Sequence, residues 1–361
     1  MNKFRPTSAL AAAAIALSAL AGVAPAAAQE KAVFGFPSPP NVQFAYLWFG
    51  SKLGFFKDEG LQLDVISVTG SAVLLPQVAS GQVLIGYANP DLAVIALAKG
   101  EPLPVRFVAN WLRSQTFEFV VPENSPLKTL ADLKGKKLGV GALTWGNLPL
   151  SKAMLSTVGV GWNKDVQVLP VGLGAAAWRR MQTGEVDALN LFVGEHGRME
   201  LAGIPIRRLP MPEEFRTIFS NGFVASEKMI AEKPRMVSGM VRAIAKSWTA
   251  CKANTDACVR AYWEAVPTSR PAADKEAEQL KTDMLQAMFD RNQLDDFTGT
   301  TVRKYGQFSE DAWRRLIKVM GEEGLIARTD LDLTKLYTGR FVDEFNAFDT
   351  AAVERLARAT R

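Results

Sequence analysis

Short apolar runs alternate with amphipathic stretches along most of the chain, and the same succession occurs twice. Lys31-Ala-Val-Phe-Gly-Phe36 reads as a buried strand, and Lys136-Lys-Leu-Gly-Val-Gly141 repeats that role. Leu63-Asp-Val-Ile-Ser-Val68 is answered by Val166-Gln-Val-Leu-Pro-Val171, and a glycine (Gly70, Gly172) follows each before a helix. Gln77-Val-Ala-Ser-Gly81-Gln-Val83-Leu-Ile-Gly86 then parallels Met181-Gln-Thr-Gly184-Glu-Val186-Asp-Ala188, at an offset of about 103 residues. In both copies a helix ends on a glycine suited to a left-handed carboxyl cap, and a short strand follows. Four elements in one order at one offset indicate an internal duplication.

Each copy alternates strand and helix, which predicts an α/β fold: a mostly parallel sheet flanked by helices, made twice. Ligands of such sheets bind beyond the carboxyl ends of the strands, so two facing copies make a clamshell with one cleft. Thr116–Val121 reads as the strand that leaves the first lobe, and Ile218–Ala225 as the strand that returns. The expected division is residues 29–115 for the first part of lobe 1, 116–221 for lobe 2, and 222–361 for the return to lobe 1 plus C-terminal helices. Glu227 to about Ala265 and Glu276 to Arg291 are helical in period and are expected to pack largely on the first lobe. Two crossings make a hinge.

Residues 1–28 carry the marks of a secretory signal: Lys3 and Arg5, an apolar run from Ala9 to Val23, and Ala26-Ala27-Ala28 as the cleavage site. That run is short for a bilayer span. The expectation is an exported, periplasmic protein cleaved near Ala28. The formal charge of +5 falls to +3 once Lys3 and Arg5 are removed. With no long basic run, nothing supports nucleic-acid binding; Arg179-Arg180 and Arg207-Arg208 read as ordinary surface pairs. The two cysteines, Cys251 and Cys258, flank Asn254-Thr255-Asp256, a helix-stop and restart signal. A disulfide across the corner and two buried thiols both fit that spacing.

Leu53-Gly-Phe-Phe-Lys-Asp-Glu-Gly-Leu61, Leu130-Ala-Asp-Leu-Lys-Gly-Lys-Lys-Leu-Gly-Val140, Gly81-Gln-Val, Gly184-Glu-Val-Asp-Ala188 and Ala253-Asn-Thr-Asp-Ala257 together resemble the substrate-binding proteins of ABC importers in the nitrate/sulfonate/taurine group, which share the NMT1/THI5-like domain. The resemblance covers about residues 31 to 265. It implies a type II periplasmic-binding-protein fold and delivery of a small-molecule ligand to an ABC permease with its ATPase, the chain acting as a monomer. Related domains bind thiamine-precursor pyrimidines and aromatic acids, so the resemblance does not name the ligand. A periplasmic sensor-type module and a pyrimidine-forming enzyme on the same fold are the competing readings.

Reactive chemistry is sparse. His196 is the only histidine and, in Val193-Gly-Glu-His-Gly197, reads as a solvated loop residue. There is no Gly-x-Ser-x-Gly elbow, no Cys/His cluster at metal-ligand spacing and no phosphate loop. Gly172-Leu-Gly174-Ala-Ala-Ala177 matches a dinucleotide fingerprint. As the second copy of Thr69-Gly-Ser-Ala72, it is better read as a strand-to-helix turn lining the cleft. No catalytic residue, metal or cofactor is expected.

The predicted strand ends nominate Ser38, Asn41, Ser71, Asn89 and Asp91 from the first copy. The second copy contributes Thr144, Trp145, Gly146, Asn190 and Phe192, and the returning crossover Asn221. Amides, hydroxyls and glycines with aromatic walls suit a small organic ligand. A sulfonate or taurine-like anion would rely on helix starts and on Arg113. An aromatic or heteroaromatic acid would use Trp145 and Phe192, and Asp91 and Glu195 would favour an amine.

Overall fold

The computed structural model describes residues 29–39, 41–288 and 304–361. The signal-like segment 1–28 and the end of the helical stretch at Arg291 lie outside the described residues.

Two five-stranded sheets form the chain. The first contains β1 (Glu30–Phe36), β2 (Leu61–Ser67), β3 (Ile85–Ala88), β4 (Val105–Asn110) and β10 (Gly222–Ser226), in the order β2-β1-β3-β10-β4. The second contains β5 (Phe117–Pro122), β6 (Lys137–Val140), β7 (Gln167–Pro170), β8 (Ala188–Phe192) and β9 (Ile206–Arg208), in the order β7-β6-β8-β5-β9. β1 pairs parallel with β2 and β3, as β6 does with β7 and β8. The antiparallel member of each sheet is a crossover: β10 lies between β3 and β4, and β5 between β8 and β9. The duplication therefore survives as two sheets with the same strand order. Each borrows one strand from the chain's passage to or from the other.

Burial follows position in the sheet. β3 and β10 are buried along their whole length, whereas β2, at an edge, is mostly half-exposed, as expected for strands covered on both faces. The helices in chain order are α1 (Ala45–Lys52), α2 (Phe55–Asp58), α3 (Ser71–Ala79), α4 (Asp91–Lys99), α5 (Leu148–Ser156), α6 (Ala175–Gln182), α7 (Val193–Leu201), α8 (Glu213–Arg216), α9 (Glu227–Glu232), α10 (Pro234–Ala253), α11 (Thr255–Ala265) and α12 (Glu276–Ala287). Gly81 and Gly184 follow α3 and α6 with φ of 81° and 74°, the left-handed conformation that ends both helices.

Much of the tail covers the first sheet: α10 and α11 pack on α1, and α10 on the C-terminal helix Thr350–Ala359. The helix Glu310–Glu322, beyond the stretches expected to pack on the first lobe, packs against α5 of the second sheet. Its fully buried Trp313 lies 5.6 Å from Phe107 and 4.7 Å from Phe219, ring centre to ring centre. One apolar core thus runs from Leu74 and Val94, on helices of the first sheet, to Phe119, Leu150 and Met154 of the second.

At the helical corner Cys251 and Cys258 form a disulfide with Cα atoms 5.1 Å apart. Asn254 between them caps α11, accepting from Ala257 N. Its amide donates to the carbonyls of Ala357 and Thr360, at 2.8 and 2.9 Å. Among the described residues no helix is long and apolar enough to cross a membrane.

Candidate ligand site between the sheets

The carboxyl ends of both parallel strand sets meet at one cavity of about 50 Å³. The first sheet contributes Pro37 and Ser38 after β1, Gln43 and Phe44 from a one-turn 3-10 helix, Ser71 at the start of α3, and Tyr87 and Asn89 at the end of β3. Trp145, Gly146, Phe192 and Val193 come from the second sheet, and Leu112, Thr116, Phe117 and Asn221 from the two crossovers. None of these lining residues is Asp, Glu, Lys, Arg or His.

Aromatic rings make the walls. Phe117 stands edge-on to Trp145 at 5.8 Å and Phe192 lies 6.1 Å from Trp145; opposite, Phe44 and Tyr87 are 5.5 Å apart. Such rings bury flat apolar surface and leave their faces open to stacking. Trp145 lies over Gly141, where an added Cβ would sit 2.0 Å from the indole.

Three amides, Gln43, Asn89 and Asn221, supply the polar edge, each 4% exposed. Asn221 accepts from Ser220 Oγ at 3.1 Å, and Ser220 is 2.8 Å from Thr116 Oγ1, which ties the two crossovers together. The side-chain amides of Gln43 and Asn89 make no hydrogen bond among the described residues. They face the cavity, where their donors and acceptors are placed to meet the polar edge of a small molecule.

The two halves are in contact around the cavity. Thr144 donates through its hydroxyl to Thr69 O and accepts at its carbonyl from Ala72 N. Asp91 accepts from Leu150 N at 3.2 Å. Gly146 sits so close to the first sheet that a Cβ would lie 2.7 Å from Ser71 Oγ and 2.9 Å from Asn89 Cβ.

Of the residues nominated from sequence, Ser38, Ser71, Asn89, Trp145, Gly146, Phe192 and Asn221 line the cavity. Asn41, Asp91, Thr144 and Asn190 do not, because the protein uses their polar atoms itself. Asn41 caps the 3-10 turn by accepting from Gln43 N. Asp91 and Thr144 join the two halves. Asn190 is fully buried between Asn147 and the carbonyl of Glu118. The amine and anion readings lose support for the same reason. Glu195 is buried, accepting from Gly174 N, Trp178 Nε1 and Arg198. The helix start at Gly172-Leu-Gly174 is thus occupied by a protein carboxylate and does not line the cavity. Arg113 donates to Lys304 O and lies outside the lining.

His196 also departs from expectation. It lies in α7, not a loop, is fully buried, and its Nδ1 is 3.0 Å from Glu118 Oε1. Arg208 completes the cluster, bonding Glu118 and Glu200 and holding the Glu200 carboxyl below its ordinary range. Arg207 donates to the carbonyls of Ser125 and Leu127. The Arg207-Arg208 pair is therefore structural.

The lining residues that sequence reasoning passed over are mainly apolar: Phe44, Tyr87, Leu112, Phe117 and Val193, with Gln43 and Thr116. The only signal for them was adjacency. Gln43 stands two positions after the nominated Asn41, and Tyr87, on β3, two positions before Asn89.

The NMT1/THI5-like family profile matches residues 41–258. The chain belongs to this family. Among other NMT1/THI5-like and similar proteins, the riboflavin-binding protein RibY of Chloroflexus aurantiacus is 24% identical over 84% of this chain and 83% of its own length. A formylaminopyrimidine-binding protein of Halalkalibacterium halodurans is 29% identical, over 42% of this chain and 44% of its own. Among solved structures, the alkanesulfonate-binding protein SsuA of Xanthomonas axonopodis, bound to MOPS, superposes with a TM-score of 0.57 at 16% identity. It covers 85% of this chain and 98% of SsuA. The desulfurization enzyme DSZB superposes with a TM-score of 0.53 at 15% identity, over 88% and 99% of the two chains. The two-lobed α/β fold is thus shared by binding proteins and an enzyme.

Proposed function

We propose that this chain is the exported solute-binding component of an ABC importer, and that its ligand is a small, planar, uncharged molecule with an amide-like edge. The observation that carries this reading is the cavity lining. Aromatic rings face one another from both sheets, buried amides point between them, and no ionisable carboxyl, ammonium, guanidinium or imidazole is present. A flat heterocycle buries its faces on Trp145, Phe192 and Tyr87 while its ring nitrogens and carbonyls meet Gln43, Asn89 and Asn221.

A sulfonate, taurine or nitrate would enter this cavity with no cation beside it, and burying an unpaired charge is far costlier than burying a neutral polar group. The binding of riboflavin and of a formylaminopyrimidine by relatives, as their names state, supports the heterocycle instead. Binding without turnover fits the lining, whose hydroxyls on Ser38, Ser71 and Thr116 have no base among the lining residues.

Capture works by closure. A ligand shifts an open–closed equilibrium only through contacts stronger in the closed form. The bonds of Thr144 with Thr69 and Ala72, the seat of Gly146 on Ser71, and the paired walls all belong to that form. The closed monomer then presents residues of both halves to a permease with its ATPase.

A thermal-shift screen tests this reading, with pyrimidines, flavins, aromatic carboxylates, alkanesulfonates, taurine and nitrate compared at equal concentration. Uncharged heterocycles are expected to raise the melting temperature most, by the mass action of binding to the folded form. A shift with sulfonates or nitrate and none with heterocycles would overturn it.

A further inference from the structure

At about 50 Å³ the cavity of this closed arrangement is smaller than the ~150 Å³ of an engineered cavity that binds benzene, so the two halves must part somewhat to seat a ring. A second, larger space lies directly outside it: a groove of about 540 Å³ between α7 on one side and α11 and α12 on the other. Consecutive residues of one segment line the two. Asn41 and Val42 line the groove, whereas the next residues, Gln43 and Phe44, line the cavity. From the other half, Val193 lines the cavity and Arg198 the groove.

Between them the Gln43 amide rests on Gly194, where an added Cβ would lie 1.7 Å from Gln43 Nε2. Gln286, at the floor of the groove, reaches the Gly194 carbonyl at 3.5 Å. A glutamine set against a glycine has staggered alternatives for its side chain that leave the backbone in place. The Gln43 amide, buried and without a hydrogen-bond partner among the described residues, has no internal bond to hold it shut.

We propose that the outer groove is the second half of the ligand site, receiving a polar, hydroxylated extension of a ligand whose flat part occupies the cavity, with Gln43 as the residue that divides them. This rests on the reading of the cavity as the site for a planar head. The groove differs from the cavity in chemistry. The groove lining is polar: Thr282 donates to Glu278 O, Gln279 Nε2 to Asp283, Ser269 shares a bond with Tyr262, and Arg198 bonds Glu195. A ligand hydroxyl would therefore meet the Gln279 carbonyl oxygen and the remaining hydroxyl positions of Thr282 and Ser269. Hydroxyl groups on a chain are matched there and would be unpaired among the aromatic walls.

The test uses matched probes that differ only by a hydroxylated chain: lumichrome against riboflavin, and uracil against uridine. Each is titrated into the full mature protein by calorimetry. The chain-bearing member of at least one pair is expected to bind tenfold or more tightly than its bare ring. Thr282→Trp, which fills the groove without touching the cavity, is expected to abolish that advantage and leave the bare ring unchanged. Gln43→Met keeps the wall but removes the amide, and is expected to weaken both members of a pair by a similar factor.

Equal affinities within a pair, unaffected by Thr282→Trp, would overturn the groove while leaving the cavity reading intact. Failure of all four probes to bind would overturn both. Melting curves of the variants match wild type if the substitutions act on the site alone.

Discussion

Asp91 stands at the start of α4 with 2% exposure, and its carboxylate bridges to the first turn of α5 through Leu150 N at 3.2 Å. Burial pushes its pKa from 3.8 to about 7, against the lowering effect of the backbone donors Leu150 N and its own N–H. The perturbation to make is Asp91→Asn, which keeps the shape and an oxygen that can accept from Leu150 N. Because the folded pKa lies above the unfolded one, the protonated carboxyl is the form that folding favours. Its contribution is fully present below pH 3.8, declines as pH rises, and is lost above about pH 7.

The whole window corresponds to roughly 4 kcal/mol at 1.36 kcal/mol per pH unit, of which about 2 kcal/mol falls between pH 5 and 7 because the carboxyl is half ionised at its folded pKa. At about 2–4 °C per kcal/mol for a chain somewhat smaller than this one, wild type is expected to lose several degrees of melting temperature relative to Asp91→Asn over that range. The assay is differential scanning calorimetry of both proteins at pH 5, 6, 7 and 8. Taking the difference between the two curves removes the groups they share. The difference should grow with pH and level off above 7. Parallel curves, or an advantage for the variant that is largest at pH 5, would refute the reasoning.

Gly146→Val puts a side chain where even a Cβ lies 2.7 Å from Ser71 Oγ and 2.8 Å from Ser71 Cβ. Closure should fail, and ligand affinity should fall by at least about a hundredfold, the cost of roughly 3 kcal/mol of overpacking; small-angle scattering should show the variant staying open when ligand is added. Removing the Cys251–Cys258 bond, which spans a sequence separation of 7, should cost about 2.5 kcal/mol by loop entropy. Denaturant titration of Cys251→Ser/Cys258→Ser checks this, and an unchanged midpoint would count against it. Trp145→Ala removes the ring against which Phe117 and Phe192 are set. It should lower affinity for a planar ligand by about 1–3 kcal/mol, measured by calorimetry, and remove any ligand-induced quenching contributed by that indole.

Regular features of the chain were legible because local rules decide them. Gly81 and Gly184 mark helix ends whatever surrounds them, and the apolar runs of β3 and β10 are central strands for the same reason. The crossing strands were found because Thr116–Val121 and Ile218–Ala225 have the period of strands and fall at the ends of the repeat.

What local pattern could not show is which neighbour claims a polar side chain. Asn190 and Phe192 lie two positions apart on one strand, so they share a face, yet Asn147 reaches Asn190 first while Phe192 stays open to the cavity. His196 was misread because Gly194 and Gly197 imitate a loop. Gly194 is instead a helical residue that leaves room for Gln43, a contact made by a residue about 150 positions earlier in the chain. Leu112 is an apolar residue with no local mark of a site, and only the meeting of the two sheets makes it a wall.

The uncharged lining also bears on how fast the protein works. A cleft edged with one sign of charge gathers oppositely charged solutes and loses that advantage as ions accumulate around it. The outer groove carries both signs of charge, and the rings and amides that wall the inner cavity exert no such pull. Its capture rate should change by less than about twofold between dilute buffer and roughly 0.5 M salt, where screening is nearly complete within a few ångströms. A protein with such a site would take up its ligand equally well in fresh and brackish surroundings.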